Sequence, residues 1–203
     1  KPFMTVATIA FLILGLVLFL GAHSVRIFAD GWRTRTVARV GAGTWKGLYT
    51  VVSIAGLALI VWGFAQAKQQ PVVLWQPPVA MKHLNSLFTL LAFVFLAAAY
   101  VPRNQIRARL HHPMVLGVKL WAFGHLLATG KRADVVLFGA FLLWAILDFR
   151  AARQRDRAQG TTYPPGSLAG TLAAVVVGVV AWAVFAFWLH AAWIGVAPFG
   201  RTL

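Results

Sequence analysis

Six apolar blocks of fifteen to twenty-seven residues, separated by short basic connections, divide this chain. An α-helix rises 1.5 Å per residue, so about twenty apolar residues cross a hydrocarbon layer roughly 30 Å thick. The blocks run from Phe3 to Ala22, Leu48 to Ala67, Leu84 to Val101, Met114 to Ala128, Ala133 to Phe149 and Leu168 to Ile194. The first is longer than the apolar region of a signal peptide and no small-x-small cleavage pattern follows it, so a retained helix is expected. The fourth is short and carries Lys119, a defect that a helix buried among others tolerates better than one facing lipid. Pro71, Pro77 and Pro78 mark one connection as a loop, and Pro164, Pro165 and Gly166 mark another. Only 11% of the 203 residues are charged, against about 25% in an ordinary soluble domain. The expected fold is all-α: a polytopic membrane bundle of about six transmembrane helices, forming a single domain over residues 1–203.

The charge is lopsided. Nineteen Lys and Arg face four Asp and no Glu, a formal net charge of +15. Twelve of the bases lie in the connections after the first, third and fifth blocks. Lys1, Lys68, Lys82, Lys131, Arg132 and Arg201 lie on the opposite side. The positive-inside rule then puts both termini on the non-cytoplasmic side. Bases at block ends also attract anionic headgroups, so membrane lipids are expected partners. No recognised nucleic-acid-binding motif accompanies the charge, and no nucleic-acid partner is expected. The absence of Cys excludes disulfides, thiolate ligands and covalent attachment of c-type haem.

With no Glu and only Asp30, Asp134, Asp148 and Asp156 as carboxylates, paired-carboxylate catalysis is poorly supplied and the histidines carry the chemical interest. His23, His83, His111, His112, His125 and His190 all lie at or inside the ends of apolar blocks. An imidazole in a membrane must be bonded, paired or ligated. Two imidazoles on separate helices suit the axial positions of haem iron, whose macrocycle fits a bundle interior. His125 shares a helical face with Met114, Val118 and Trp121, and Gly117, Gly124 and Ala128 lie on the neighbouring face. Those glycines either admit a flat macrocycle or only let helices pack closely. His23 is either a ligand or an interfacial residue. His83 and His190 are expected at the interface, and Lys119 and Arg26 either snorkel or pair with anions such as haem propionates. His111-His112-Pro113 is expected to open the fourth helix, since Pro suits a first helical turn.

The run from His112 to Gly117, followed by Leu120-Trp121-Ala122 and by Gly124 to Gly130, resembles the signature of the NnrU family. The chain is similar to that family also in Gly21 to Arg26, Trp45 to Phe64 and Leu137 to Phe141, so the resemblance covers roughly residues 10 to 150. It implies a link to nitric-oxide metabolism in denitrifying bacteria, and hence a bacterial inner membrane. The same domain resembles zeta-carotene isomerase, a haem b membrane enzyme whose axial histidines fall in the elements matched here by His23 and His125. The resemblance therefore implies haem b bound by His23 and His125, with Gly117, Trp121 and Gly124 beside it. It leaves open whether the chain is an enzyme. A haem protein with a redox, sensing or assembly role, an isomerase of cis-polyenes, and a structural subunit bound to a membrane protein partner all remain, with nitric oxide, a quinone or a polyene as possible ligands.

One geometric condition attaches to that pair. His23 ends its apolar block, whereas His125 lies twelve residues past Pro113, about 18 Å further along an ideal helix. Either the first helix continues through Arg26 to Phe28, drawing His23 inward, or His112 takes the place of one ligand. The His-Pro element also resembles part of the isoprenylcysteine carboxyl methyltransferase pattern. Val115 replaces its Tyr, His111 its Arg, and the acidic elements are missing from a chain without Glu.

Overall fold

The computed structural model describes residues 2–200, with side chains from Ile9 to Gly200. Lys1 and Arg201, two of the bases in the topology count, lie outside the described residues. The regular elements of the described residues are all helices: α1 (Pro2–Phe28), α2 (Asp30–Val40), α3 (Ala42–Gln69), α4 (Val79–Tyr100), α5 (Gln105–Leu110), α6 (Pro113–Ala128), α7 (Arg132–Gln159) and α8 (Leu168–Val184), which runs on as a π-helical segment (Phe185–Ile194). Five of these helices are long and apolar enough to cross a membrane, the last made of α8 and its π-helical continuation. The sixth expected span, α6, has 16 residues, a length of about 24 Å. The protein is a polytopic helical membrane bundle.

Large apolar side chains point outward, with Val51 66%, Val61 61%, Leu168 67% and Val176 59% exposed. In water such faces would have to be covered; in a bilayer they meet lipid. With lipid outside, burial of apolar area does not hold the helices together, and close backbone approach at small residues takes over.

The chain divides into two compact units. The first comprises residues 1–76 and 129–148. Its α1 and α3 pack through glycines: a Cβ on Gly15 would stand 2.6 Å from the Ile60 nitrogen, one on Gly56 2.7 Å from the Phe19 nitrogen, and one on Gly63 2.5 Å from the Leu12 nitrogen. Leu12, Leu16 and Ile60 are buried at this contact. Beyond α3, the loop meets the start of α7, with Leu74 N–H donating to Gly130 O at 2.8 Å and Arg132 N–H to Val72 O at 2.9 Å.

The second unit comprises residues 77–128 and 149–203. There α4 packs against both α6 and α8, again at small residues: a Cβ on Gly178 of α8 would stand 2.5 Å from the Val94 Cα. The Trp182 indole donates to Thr89 Oγ1 at 3.1 Å, tying α8 to α4 inside the apolar layer. Asn104 is the buried polar residue of this unit. Its amide donates to Ala98 O at 2.9 Å and Val101 O at 2.6 Å, ending α4, while its Oδ1 accepts the Arg107 N–H at 2.7 Å, starting α5. These bonds satisfy backbone groups that helix ends leave unpaired.

Candidate functional site

His23 lies on α1 in the first unit. No Gly or Pro interrupts residues 22–28, so α1 continues through Arg26 to Phe28, and His23 stands five residues inside its end. The longer first helix raised from the sequence is therefore present. The His23 Nδ1 donates to the Phe19 carbonyl at 2.7 Å. Its ring lies 4.2 Å from that of Phe19, 5.2 Å from Tyr49 on α3 and 6.1 Å, edge-on, from Trp144 on α7. The Trp144 indole N–H is buried with no hydrogen-bond partner among the described residues. Such a donor has a standing cost unless an acceptor meets it.

His125 lies on α6 in the second unit, and its Nδ1 donates to the Trp121 carbonyl, also at 2.7 Å. The Trp121 ring stands 5.5 Å away. Gly117 and Gly124 are both at the α4–α6 contact: a Cβ on Gly117 would meet Ala92 O at 2.9 Å, and one on Gly124 would meet Asn85 Oδ1 at 2.5 Å and Phe88 Cβ at 2.9 Å. Close helix packing, one of the two roles open to them in the sequence, is therefore present. It also sets where His125 stands, because α6 can approach α4 this closely only where it lacks side chains.

His23 and His125 share a local arrangement. A carbonyl oxygen can only accept, so each Nδ1 carries a proton, and in the neutral ring the lone pair then sits on Nε2. A metal-binding imidazole needs that division, with one nitrogen anchored by a backbone carbonyl and the other left as the Lewis base. Among the described residues no group of three or more His or Asp side chains could hold a metal ion. Taken singly, each imidazole has the form of an axial haem ligand, its Nδ1 anchored by a backbone carbonyl.

His112 has other commitments. Its Nε2 donates to Asp156 Oδ2 at 2.8 Å, and the same oxygen accepts the Tyr163 hydroxyl at 2.9 Å. The Arg153 guanidinium bonds His111 Nδ1 and approaches Asp156 to 3.9 Å, and Tyr163 stacks on the His111 ring at 4.1 Å. His111 itself has φ +69° and ψ −51°, with His112 N–H donating to Leu110 O at 2.9 Å. That is a γ-turn with positive φ, a strained geometry for a residue other than Gly. As expected, Pro113 opens the helix that follows.

Burial and then the Arg153 charge push the His111 pKa below its ordinary value. Burial, the bond to Asp156 and the charge of Asp156 push that of Tyr163 up. These groups largely satisfy one another, which makes the cluster a clasp between the turn before α6, the end of α7 and the loop beyond. Arg153, Asp156 and Tyr163 were not singled out from the sequence. The available signal was that Asp156 is the sole carboxylate of the second unit.

The Lys119 Nζ lies 5.0 Å above the Phe149 ring. Arg26 lies 3.9 Å from Asp30. His190 Nδ1 donates to Val196 O at 2.7 Å, closing the end of the π-helical segment.

The family model described as NnrU protein matches residues 11–198. Neither a curated protein nor a solved structure matches the chain.

Proposed function

The chain belongs to the NnrU family, and from that membership we propose that it is a haem b-binding membrane protein with a redox, sensing or assembly role in nitrogen-oxide metabolism. Its proposed iron ligands are His23 and His125. The observation that carries the reading is their common geometry, each Nδ1–H held at 2.7 Å by the carbonyl four residues earlier, the backbone anchoring that metal-ligating imidazoles use. The Phe19 and Trp121 carbonyls fix the tautomers. Tyr49 and Trp144 crowd the His23 ring, and the contacts of Gly117 and Gly124 with α4 position His125. The unmatched Trp144 N–H suits an acceptor carried by a bound group. Haem, when bound, supplies an iron able to exchange an electron or take up a diatomic gas.

The proposed location is a bacterial inner membrane with both termini non-cytoplasmic, a reading supported by the uneven distribution of bases. Isomerisation of cis-polyenes is the second reading, favoured by the same two histidines through the likeness to zeta-carotene isomerase.

An absorption spectrum of the purified protein tests the proposal. A Soret band that sharpens on reduction is expected, with His23→Ala and His125→Ala each changing its position or intensity. A colourless preparation after haem supplementation would overturn the haem reading and leave a structural subunit. Turnover of cis-polyenes by the reduced protein selects the isomerase; binding of nitric oxide without such turnover selects the first role.

A further inference from the structure

In the second unit His111 sits between opposite charges. Its Nδ1 accepts a bond from the Arg153 guanidinium, and Asp156 Oδ2 lies 3.9 Å from the same nitrogen. A guanidinium can only donate, so that nitrogen keeps its lone pair and the ring is neutral. Protonation would remove the lone pair, break the bond and leave two cations in contact. The carboxylate, already within ion-pair distance, is a partner that a protonated ring can use.

The backbone at this position is set to respond. His111 holds φ +69° and ψ −51°, the γ-turn between α5 and Pro113, and such a strained conformation persists only while its surroundings over-determine it. Among the described residues the groups facing the ring are Arg153 and Asp156 from the end of α7, Tyr163 stacked on it at 4.1 Å from the loop beyond, and the neighbouring His112. Arg107 on α5 acts on the same cluster through its charge on Tyr163. His112 at 2.8 Å and the Tyr163 hydroxyl at 2.9 Å already share Asp156 Oδ2, so a third donor arriving there competes with both. Burial and the Arg153 charge hold the His111 imidazole neutral at pH 7.

We propose that His111 is an acid-operated latch: taking up a proton shifts its ring from Arg153 to Asp156, relaxes the γ-turn and frees the entrance of α6 from the end of α7. No side chain of the haem proposal takes part, so the two proposals stand or fall separately.

The chain contains no Cys, which allows spin labels to be placed by substitution alone. Arg109→Cys on α5 and Ala158→Cys on α7, both at exposed positions, flank the latch. Double electron–electron resonance on the labelled, detergent-purified full chain measures the distance between them. One narrow distribution is expected at pH 7.5, with a second, longer or broader population growing as pH falls to 4.5 and half-complete below the ordinary histidine value of 6.5. His111→Asn in the same background keeps an acceptor for Arg153 but cannot take up the proton, so its narrow distribution should persist throughout; His111→Gln serves the same purpose if the Asn variant does not fold. A distribution unchanged from pH 7.5 to pH 4.5 with His111 in place overturns the proposal, and that measurement needs neither variant. An equal change in the His111→Asn protein overturns it too and moves the response to another group.

Discussion

The imidazole of His112 donates to the Asp156 carboxylate across 2.8 Å and 44 residues of sequence, fastening the turn before α6 to the last turns of α7. The carboxylate is 14% exposed, and the Tyr163 hydroxyl shares its Oδ2. Removing it strands donors on both partners. Asp156→Ala is expected to destabilise the protein by about 2 kcal/mol and Tyr163→Phe by about 1 kcal/mol. Thermal unfolding in detergent measures both. Variants that melt with the wild type would show that the clasp carries no stability.

Acid should loosen the same clasp through His111. Its folded pKa lies below the ordinary value of 6.5, because burial and the Arg153 guanidinium disfavour the imidazolium more than Asp156 favours it. The unfolded chain therefore binds the proton more readily, and this contribution to stability is present above pH 6.5 and lost as pH falls through the lowered folded value. Unfolding midpoints measured from pH 7.5 to pH 5 should fall less steeply for His111→Asn than for the wild type. Identical slopes would place the pH response elsewhere.

Glycines on α3 should differ sharply with position. A Cβ at Gly63 would stand 2.5 Å from the Leu12 backbone nitrogen, a group that can yield only if α1 moves. Gly63→Ala is expected to cost about 1–3 kcal/mol. Gly43, where an added Cβ would meet nothing within 4 Å, should accept Ala with no loss and a gain of up to about 1 kcal/mol from helix propensity. The pair of variants, compared by unfolding midpoint, checks whether close approach rather than lipid-facing surface fixes the α1–α3 pair.

Trp144→Phe separates the apo protein from a haem-loaded one. The substitution keeps an aromatic ring beside His23 and deletes a buried N–H that has no partner among the described residues. Without ligand it should leave stability unchanged or slightly raised. If a bound group supplies the acceptor, the Soret spectrum or haem retention should change. A variant indistinguishable in both states would remove Trp144 from the proposed site.

Five of the six apolar blocks coincide with helices long enough to cross a membrane, because hydropathy reports bilayer thickness directly; the fourth became the shorter α6. Helix ends were less legible for the same reason. The fifth block closes at Phe149, yet α7 runs to Gln159, since its Arg-rich end can stay helical outside hydrocarbon. Likewise α2 and α5 occupy connections that carried no span signal, their polar composition being compatible with a helix in the headgroup region or a loop. Gly117 and Gly124 show a different limit: spacing placed them beside His125 and left both macrocycle and helix contact open, and only the distances to Ala92 and Asn85 reveal the packing. The His112–Asp156 pair was hidden because nothing in local spacing relates a residue before α6 to one at the end of α7.

Asn104 carries one further consequence. Two donors and one acceptor on a single short side chain are all engaged, spanning the end of one helix and the beginning of the next. Asp offers no amide hydrogens, Ser offers one hydrogen where two are used, and Gln places the same group a methylene further out. Saturation mutagenesis scored by surface yield should thus find this position nearly monomorphic, although it lies in a bend where substitution is ordinarily permissive.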